Sequence, residues 1–272
     1  MKKFVLATVF ALASTGVLAK DLSVIRFGVD PTFAPFESKN PDGQLVGFDI
    51  DLGNAICAEL KVKCVWVENA FDSIIPALRA KKFDAVLSAM TINDQRKKNV
   101  DFSDRLYNSP NRLIAKKDSG LLPTPESLKG KRVGVAQGTT QETYVKKIWA
   151  PKGVIMVTYP NQDLLYPDLV SGRIDASLTD AAVAELGFLQ TPKNTGFAFA
   201  GDAVYNQELL GEGIAIGLRK NEPQLMEAIN RALAEMHKNG TYDTIQKKGL
   251  YAGIPEISVS PAPVPPRAHP GR

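Results

Sequence analysis

The sequence predicts an α/β protein made of two similar lobes. Short apolar runs alternate with stretches whose apolar residues recur at helical spacing, which is the pattern of strands joined by helices. A succession of helix, tight turn and strand occurs twice, at residues 76–88 and 167–179, with Asp-Ala at the start of each strand. The chain has 272 residues, 44% hydrophobic and 23% charged, which suits two packed cores and excludes wholesale disorder, collagen and a coiled coil.

The first part of the chain contains the elements of one lobe in alternating order. Apolar runs bounded by turn residues predict strands, and Pro31 and Pro35 end the first of them. Apolar residues three and four positions apart predict helices. The predicted strands are residues 24–29, 62–67 and 84–88, and the predicted helices are residues 48–60 and 71–79.

The second part repeats this alternation and ends in helices and a proline-rich tail. The predicted strands are residues 132–135, 155–158 and 175–179, and the predicted helices are residues 140–149, 163–171, 224–238 and 242–248. We expect largely parallel strands, because helices join them. Six prolines in the final eighteen residues predict a disordered tail over 255–272.

The N-terminus has the three parts of a secretory signal peptide. Met1 to Lys3 carry positive charge, residues 4–12 form an apolar run, and small residues lead to Ala19, after which we expect cleavage. A membrane anchor is the alternative, but it needs about twenty apolar residues and this run is shorter. No later segment is apolar for long enough, so the sequence predicts an exported, soluble mature protein.

The two cysteines, Cys57 and Cys64, have six residues between them. In an oxidising compartment such a close pair favours a disulfide, with free buried thiols as the alternative. A metal site would need further ligands, and the histidines are only His237 and His269. We therefore expect a structural bridge and no metal or other cofactor.

Charge gives no indication of a nucleic-acid partner. The net charge is +4, from 33 Lys and Arg against 29 Asp and Glu, and no basic block is interleaved with aromatic residues. The sequence also lacks a phosphate-binding P-loop motif, so we expect no ATP hydrolysis by this chain.

Each of the two repeated strands stops at a hydroxyl residue, Ser88 in the first copy and Thr179 in the second. Ligands of open α/β sheets bind beyond the carboxyl ends of the strands. We therefore expect Ser88-Ala89 and Thr179-Asp180 to occupy equivalent positions and to face each other across a cleft.

Five motifs follow one another along residues 24–250. They are DPTFAPFE at 30–37, GFDIDL at 47–52, Thr91 with Arg96, LKGK followed by VGV at 128–135, and GTTQE at 138–142. In this order they resemble the periplasmic polar amino-acid-binding proteins, most of all the lysine/arginine/ornithine- and histidine-binding branch. The proline-rich tail departs from the family, whose members usually end soon after the last helix.

The resemblance implies the type II fold of periplasmic binding proteins, in which two α/β lobes joined by two hinge strands hold one amino acid between them. It implies that residues 1–19 are the signal peptide, that residues 20–108 and 209–254 form the first lobe, and that residues 109–208 form the second. It also implies a periplasmic monomer that delivers its ligand to an inner-membrane ABC permease and its ATPase.

The resemblance assigns the ligand's α-carboxylate to Arg96, Thr140 and Gln141. A guanidinium matches a carboxylate in a bidentate fork, and a surface arginine in a basic stretch is the alternative. Residues 139–142 form a capping box at a helix start, whose free backbone N–H groups also suit an anion. Both roles can hold together if Thr139 is the cap.

The resemblance assigns the ligand's α-ammonium to Asp180 in one lobe and to Ser88 and Thr91 in the other. An enclosed carboxylate is costly without a cation, and the ammonium supplies one. The alternative for Asp180 is an ordinary helix N-cap. The two hydroxyl oxygens are expected to accept hydrogen bonds from the same ammonium.

The ligand's side chain is assigned to Asp30, Phe33 and Phe71. Asp30 would meet a distal positive charge, and the two rings would grip the methylenes, although Phe71 could instead be a core residue. Phe33, Ala89 and Ala136 stand where family members often carry Tyr, Ser and a larger apolar residue, which makes the pocket less polar and roomier. Arginine, lysine, ornithine, histidine and opines therefore stay open, with arginine the first choice because it stacks best on aromatic rings.

We therefore expect a non-enzymatic receptor that captures a cationic L-amino acid and presents it to a permease. One alternative is an enzyme on the same scaffold, similar to cyclohexadienyl dehydratase, which would need a placed acid or base in the cleft. The other is a ligand-sensing domain of a signalling receptor, for which the sequence offers no transmembrane segment or output domain.

Overall fold

The computed structural model describes residues 22–248. The predicted signal peptide, its cleavage after Ala19 and the predicted tail over 255–272 lie outside the described residues. No helix within residues 22–248 is long and apolar enough to cross a membrane.

Short strands and helices alternate along the described chain. The strands are β1 (Val24–Val29), β2 (Ser38–Lys39), β3 (Leu45–Val46), β4 (Lys63–Glu68), β5 (Ala85–Val86), β6 (Val100–Phe102), β7 (Asn111–Lys116), β8 (Arg132–Ala136), β9 (Ile155–Tyr159), β10 (Ala176–Asp180), β11 (Phe197–Phe199) and β12 (Gly217–Arg219). The α-helices are α1 (Phe48–Glu59), α2 (Ile74–Arg79), α3 (Asp94–Lys97), α4 (Pro125–Leu128), α5 (Thr140–Tyr144), α6 (Gln162–Ser171), α7 (Ala181–Ala184), α8 (Gln207–Leu210), α9 (Pro223–Lys238) and α10 (Thr241–Lys247).

The first five-stranded sheet has the order β4-β1-β5-β12-β6. Strand β1 lies parallel to β4 and β5, whereas β12 runs antiparallel to β5 and β6. Helix α1 packs against β4, α9 and α10. One apolar cluster, which includes Phe27, Phe48, Leu52 and Met236, forms the core of this lobe.

The second five-stranded sheet has the order β11-β7-β10-β8-β9. Strand β8 lies parallel to β9 and β10, whereas β7 runs antiparallel to β10 and β11. Successive residues of β7 point to opposite faces, so Leu113 belongs to one apolar cluster and Ile114 to another. This sheet is therefore covered on both faces.

Two connections join the sheets. The chain leaves the first sheet after β6 and returns to it before β12. The connections lie side by side, because the N–H of Ile214 donates to the carbonyl of Tyr107 at 2.9 Å and the N–H of Val204 donates to that of Asn111 at 2.8 Å. The predicted architecture of two α/β lobes joined by two strands is thus confirmed.

The strand directions differ from the prediction. Both sheets are mixed, since β6, β7, β11 and β12 have antiparallel neighbours. Strands β7 and β12 come directly after the connections between lobes, where the chain crosses from one sheet to the other instead of completing a strand–helix–strand unit within one sheet. The expectation of largely parallel strands is therefore wrong for these four of the ten strands in the two five-stranded sheets.

Three predicted elements have different boundaries. The predicted helix over 71–79 is a 3-10 turn, Phe71–Ser73, followed by α2. The predicted helix over 140–149 is α5 followed by a π-helical turn, Val145–Trp149. The predicted strand over 84–88 pairs only as β5, because the chain turns at Ala89, whose φ of 45° lies in the left-handed region. This turn carries Ser88 and Ala89 away from the sheet and toward the other lobe.

Cys57 and Cys64 form the predicted disulfide, with 5.7 Å between their Cα atoms. Cys57 lies near the end of α1 and Cys64 lies in β4, so the bridge ties the helix to the strand that follows it.

Each lobe contains the same ion-paired brace between two neighbouring strands. In the first lobe the N–H and Nε of Arg26 donate to Oδ2 of Asp84 at 2.9 and 3.0 Å, and its Nη2 donates to Oδ1 at 2.8 Å. In the second lobe the same three groups of Arg132 donate to Asp175 at 2.8, 3.1 and 2.9 Å. These braces hold the segments that lead into β5 and β10.

Candidate functional site

A small cavity of about 30 Å³ lies between the lobes, beyond the carboxyl ends of β5, β8 and β10. Ten predicted site residues line it: Phe33, Phe71, Ser88, Ala89, Thr91, Arg96, Ala136, Thr140, Gln141 and Asp180. The other lining residues are Thr139, Gln162, Leu178, Thr179 and Val183. Asp30 is buried next to the cavity but does not line it.

Arg96 enters the cavity from α3, which Asn93 caps by accepting the Arg96 N–H at 2.8 Å. Its guanidinium bridges the lobes, with Nη1 donating to the carbonyl of Thr91 at 2.8 Å and Nη2 donating to that of Gly138 at 3.0 Å. The residue is only 8% exposed, and burial lowers its pKa to about 10. No carboxylate within residues 22–248 pairs with this cation.

Asp180 ends β10 and caps α7. It therefore has the helix N-cap role that was the alternative to an ammonium ligand. Its Oδ1 accepts the Ser109 hydroxyl at 2.7 Å and the N–H groups of Ala182 and Val183 at 2.8 and 3.3 Å. Burial raises the pKa of Asp180 to about 6. These partners are neutral and all of them bond Oδ1, so in the described part of the chain no cation balances this carboxylate.

Arg96 and Asp180 therefore give one cavity a buried cation and a buried anion, neither of which has an ion-pair partner in the described chain. A buried charge is costly unless an opposite charge meets it. The arrangement suits a ligand that carries a carboxylate at one point and an ammonium at another.

The turn after β5 is fixed by hydrogen bonds to residues that do not line the cavity. The Ser88 hydroxyl accepts the Asp30 N–H at 2.9 Å and donates to Oε1 of Glu37 at 3.0 Å. The Ala89 N–H donates to Oδ2 of Asp49 at 2.8 Å. Because the Ser88 proton points to Glu37, the remaining lone pair of its oxygen is free to accept a hydrogen bond from a ligand.

The start of α5 forms the wall opposite Arg96. Thr139 caps the helix by accepting the Glu142 N–H at 3.1 Å, and the Glu142 carboxylate accepts the Gly138 N–H at 2.8 Å. Thr140 and Gln141 line the cavity beside this cap, and Gln141 Nε2 donates to Oδ1 of Asn111 at 2.6 Å. Thr139 is thus the helix cap, as predicted, while a ligand contact of Thr140 and Gln141 stays a prediction.

Two aromatic rings and one carboxylate lie at the first lobe's end of the cavity. The rings of Phe33 and Phe71 are 5.5 Å apart with 58° between their planes, and the Arg96 guanidinium lies 5.4 Å from the Phe71 ring. Asp30 accepts the Thr32 hydroxyl and the Phe71 N–H, each at 2.9 Å. Burial raises the pKa of Asp30, which again indicates a carboxylate without a cation.

Sequence reasoning missed Gln162, a cavity-lining residue whose side-chain amide can still donate a hydrogen bond. It is the first residue of α6, directly beyond the carboxyl end of β9, and it is 2% exposed. Its Nε2 has no hydrogen-bond partner among the described residues. The rule that ligands bind beyond strand ends, applied to β9 as it was to β10, could have found it.

The lobes touch on both sides of the cavity. A side chain at Gly138, whose φ is 77°, would lie 2.5 Å from Asp72 Cα, and one at Gly187 would lie 2.8 Å from the Ala34 carbonyl oxygen. Glycine at these two positions lets the backbones of opposite lobes approach closely. The cleft is therefore shut over the cavity.

Solved structures of amino-acid-binding proteins are similar to this chain. An ancestral arginine-binding protein bound to arginine has 42% sequence identity and a TM-score of 0.78, covering 84% of this chain and 98% of its own. An ancestral amino acid-binding protein described as a precursor of cyclohexadienyl dehydratase has 36% identity and a TM-score of 0.73, covering 83% and 95%.

Two relatives from Escherichia coli are similar over most of their length. The histidine-binding periplasmic protein is 48% identical over 251 residues, which is 91% of this chain and 96% of the relative. The lysine/arginine/ornithine-binding periplasmic protein is 51% identical over 224 residues, 82% of this chain and 86% of the relative. Residues 25–250 also match the model of one protein family. On this match and these identities, the chain belongs to the bacterial extracellular solute-binding proteins, family 3.

Proposed function

We propose that this protein is a periplasmic receptor that captures one cationic L-amino acid between its lobes and delivers it to an ABC importer. The observation that carries the proposal is the pair of buried, oppositely charged side chains on one cavity, Arg96 and Asp180. The α-carboxylate of an amino acid would pair with the first and its α-ammonium with the second.

The neighbouring polar groups support this orientation of the ligand. Thr140 and Gln141 lie beside the proposed carboxylate, and the Ser88 oxygen keeps a lone pair for the proposed ammonium. Thr91 also lines the cavity. Charged partners give hydrogen bonds about twice the strength of neutral ones, so the two ends of the zwitterion supply most of the affinity.

The ligand's side chain extends toward Asp30, Phe33 and Phe71 in this proposal. Asp163, at the start of α6, has its pKa raised by burial and by the charge of Asp30, so two carboxylates influence this end. Such a site favours a distal cation, and the aromatic rings favour a planar guanidinium. Arginine is therefore our first choice, with lysine, ornithine and histidine next; Ala89 and Ala136 leave space for a larger side chain.

Capture works by closure of the lobes. Arg96 bonds carbonyls of both lobes, and the proposed ammonium ligands come from both lobes, so only the shut form makes every contact. A ligand that binds the shut form better shifts the population toward it. We propose lobe boundaries at 20–108 with 209–254 and at 109–208.

The receptor is favoured over an enzyme on the same scaffold. The relatives named above are binding proteins, and the similar dehydratase precursor is itself described as amino acid-binding. In the cavity the carboxylate of Asp180 is fully engaged at Oδ1 by three neutral donors, which suits static recognition of a cation.

The relatives support the proposed compartment and partners. Both Escherichia coli relatives are periplasmic proteins, and this protein is periplasmic too. We propose that the signal peptide is removed after Ala19, that the mature protein is a monomer, and that it docks on an inner-membrane permease. Mass spectrometry of the exported protein tests the first point, and light scattering tests the second.

A thermal-shift screen of the purified protein tests the proposed function. The panel contains the twenty amino acids, ornithine, citrulline and opines. Ligands that bind only the folded state raise the melting temperature, by an amount that grows with affinity. We expect the largest shifts from arginine, lysine, ornithine or histidine, whereas a largest shift from glutamate or glutamine would contradict a cationic specificity.

A further inference from the structure

Two carboxyl side chains, Glu37 and Asp49, lie directly behind the Ser88–Ala89 turn and do not line the cavity. Each residue is 0% exposed. The proposed function gives neither of them a contact with the ligand. Two buried acids next to each other are expensive to ionise together, so their presence behind a ligand-facing turn calls for an explanation.

Their hydrogen bonds connect both acids to the turn. Glu37 Oε1 accepts the Ser88 hydroxyl at 3.0 Å, while its Oε2 accepts no hydrogen bond from an N–H or hydroxyl of the described residues. Asp49 Oδ2 accepts the Ala89 N–H at 2.8 Å, and its Oδ1 accepts the Tyr107 hydroxyl at 3.0 Å. The two carboxyl groups also lie within hydrogen-bonding reach of each other, and their other partners among the described residues are neutral.

The ionisable groups around the pair add negative charge rather than positive charge. The charge of Asp30 acts on Glu37, and the charge of Asp180 acts on Asp49. The charge of Asp49 also acts on Tyr242, whose hydroxyl donates to the Leu106 carbonyl at 2.8 Å and whose ring stacks on His237 at 4.2 Å. Burial and the charge of Asp49 hold the pKa of Glu37 well above its usual range, and burial raises the pKa of Asp49 to about 6. Both shifts favour a pair that keeps one proton over a pair in which both carboxyl groups are ionised.

We propose that Glu37 and Asp49 share one proton in the ligand-free protein, and that capture of the ligand releases it through Ser88. This inference rests on the proposed function. The ligand ammonium donates to the Ser88 oxygen, which makes the Ser88 proton a better donor to Glu37 and so favours the carboxylate form. Glu37 is thus a positioning residue, which orients Ser88 and tunes its strength as an acceptor.

Proton release has a definite sign. The bound protein holds fewer protons than the free protein, so affinity rises with pH until the free pair is already ionised. Asp180 and Asp30, whose pKa values are also raised, contribute a rise of the same sign. The overall pH profile is therefore not diagnostic, and the contribution of Glu37 has to be isolated by substitution.

The substitution Glu37→Gln isolates the contribution of Glu37 to the pH dependence, because glutamine has the shape of the protonated acid and keeps an acceptor for Ser88. We expect parent and variant to bind arginine within about twofold of each other at pH 5, and the parent to bind at least about threefold more tightly at pH 8. Glu59→Gln, an exposed change in the last turn of α1, is the matched control and should follow the parent at both values.

Calorimetric titration with arginine at pH 7, in two buffers of different ionisation enthalpy, counts the protons released. The parent and Glu59→Gln should release more protons than Glu37→Gln. Ser88→Ala, which cuts the connection to the ligand, should release as few as Glu37→Gln. Equal counts for all four proteins would overturn the inference, as would a folded Glu37→Gln that fails to bind at pH 5. A parent that binds no cationic amino acid would instead overturn the proposed function.

Discussion

Burial shifts the pKa values of both charged side chains of the cavity through the same physical cause, the loss of water around them. It lowers the pKa of Arg96 to about 10 and raises the pKa of Asp180 to about 6, because the loss of water disfavours each charged form. A single zwitterion brings the opposite charge to both groups at once. The cavity therefore favours one amino acid over any ligand that carries only one of the two charges.

Replacement of Arg96 by Ala should abolish tight binding. It removes the only arginine among the described residues that line the cavity, and it leaves the ligand carboxylate buried without a cation. Such a loss costs about 2–5 kcal/mol, or about thirty- to several thousand-fold in affinity. Titration calorimetry with arginine measures it, with the exposed Arg79→Ala as control; parent-like affinity of Arg96→Ala would refute the assignment.

Asp180→Asn should separate stability from binding. The amide keeps an oxygen for the N-cap and for Ser109, but it removes a carboxylate whose pKa in the folded protein is raised to about 6. A raised carboxyl pKa contributes stability at low pH that is lost as pH rises through about 6. Without ligand, the variant should therefore melt at or above the parent at pH 7.5 and lose this advantage at pH 4.

The same variant should bind arginine far more weakly than the parent, because an amide cannot balance the ammonium charge. Thermal melts with and without arginine check both halves of the prediction. A variant that is clearly less stable than the parent at pH 7.5 would show that the carboxylate is structural.

Asp30→Asn should change specificity rather than capture. The substitution keeps the size of the side chain and removes the negative charge that we propose pairs with the cation at the end of the ligand's side chain. Arginine should therefore weaken much more than citrulline, which has a neutral side chain of similar shape, and the ratio of the two affinities is the quantity to measure. An unchanged ratio would exclude Asp30 as the charge selector.

Sequence reasoning reached most cavity-lining residues through motifs, and it missed those without one. Arg96, Thr140 and Gln141 belong to recognisable motifs, and Asp180 ends a repeated strand. Gln162 follows β9, which has no counterpart in the repeated segment, so its approach to the cavity depends on how α6 packs. Glu37 and Asp49 lie in recognised motifs, but their burial behind Ser88 is a tertiary fact that no local pattern reveals.

Longer elements were predictable from periodicity, and short ones were not. Helices α1, α6 and α9 begin and end within two residues of their predicted bounds. Strands β6, β11 and β12 have three residues each, too few for an alternating pattern to be recognised. The braces also escaped detection, because Arg26 and Arg132 precede Asp84 and Asp175 by different numbers of residues.

The disulfide between α1 and β4 should stabilise its lobe without acting on the ligand. Double replacement of Cys57 and Cys64 by Ser reopens a short loop in the unfolded chain, which costs about 2–3 kcal/mol of folding free energy. Neither cysteine lines the cavity. Denaturant unfolding should show the loss while calorimetry shows nearly unchanged arginine affinity; a large affinity loss in the folded variant would contradict this.

Taken together, the two lobes form a site that neither could form alone. The first contributes Arg96 and the Ser88 turn, the second contributes Asp180 and the start of α5, and Arg96 bonds a carbonyl on each side. The α/β class and the two-lobed architecture were predictable because each lobe repeats one pattern of helix, turn and strand. The mixed sheets were not, because they depend on where the chain crosses between lobes.

The most direct test compares arginine with two analogues that each lack one end of the zwitterion. Agmatine has no α-carboxylate, and 5-guanidinopentanoic acid has no α-ammonium. Calorimetric titration of the parent protein should show one arginine bound per chain, and each analogue should bind at least about thirtyfold more weakly, because Arg96 or Asp180 then stays buried and unpaired. Binding of either analogue as tightly as arginine would contradict capture of the zwitterion between the lobes.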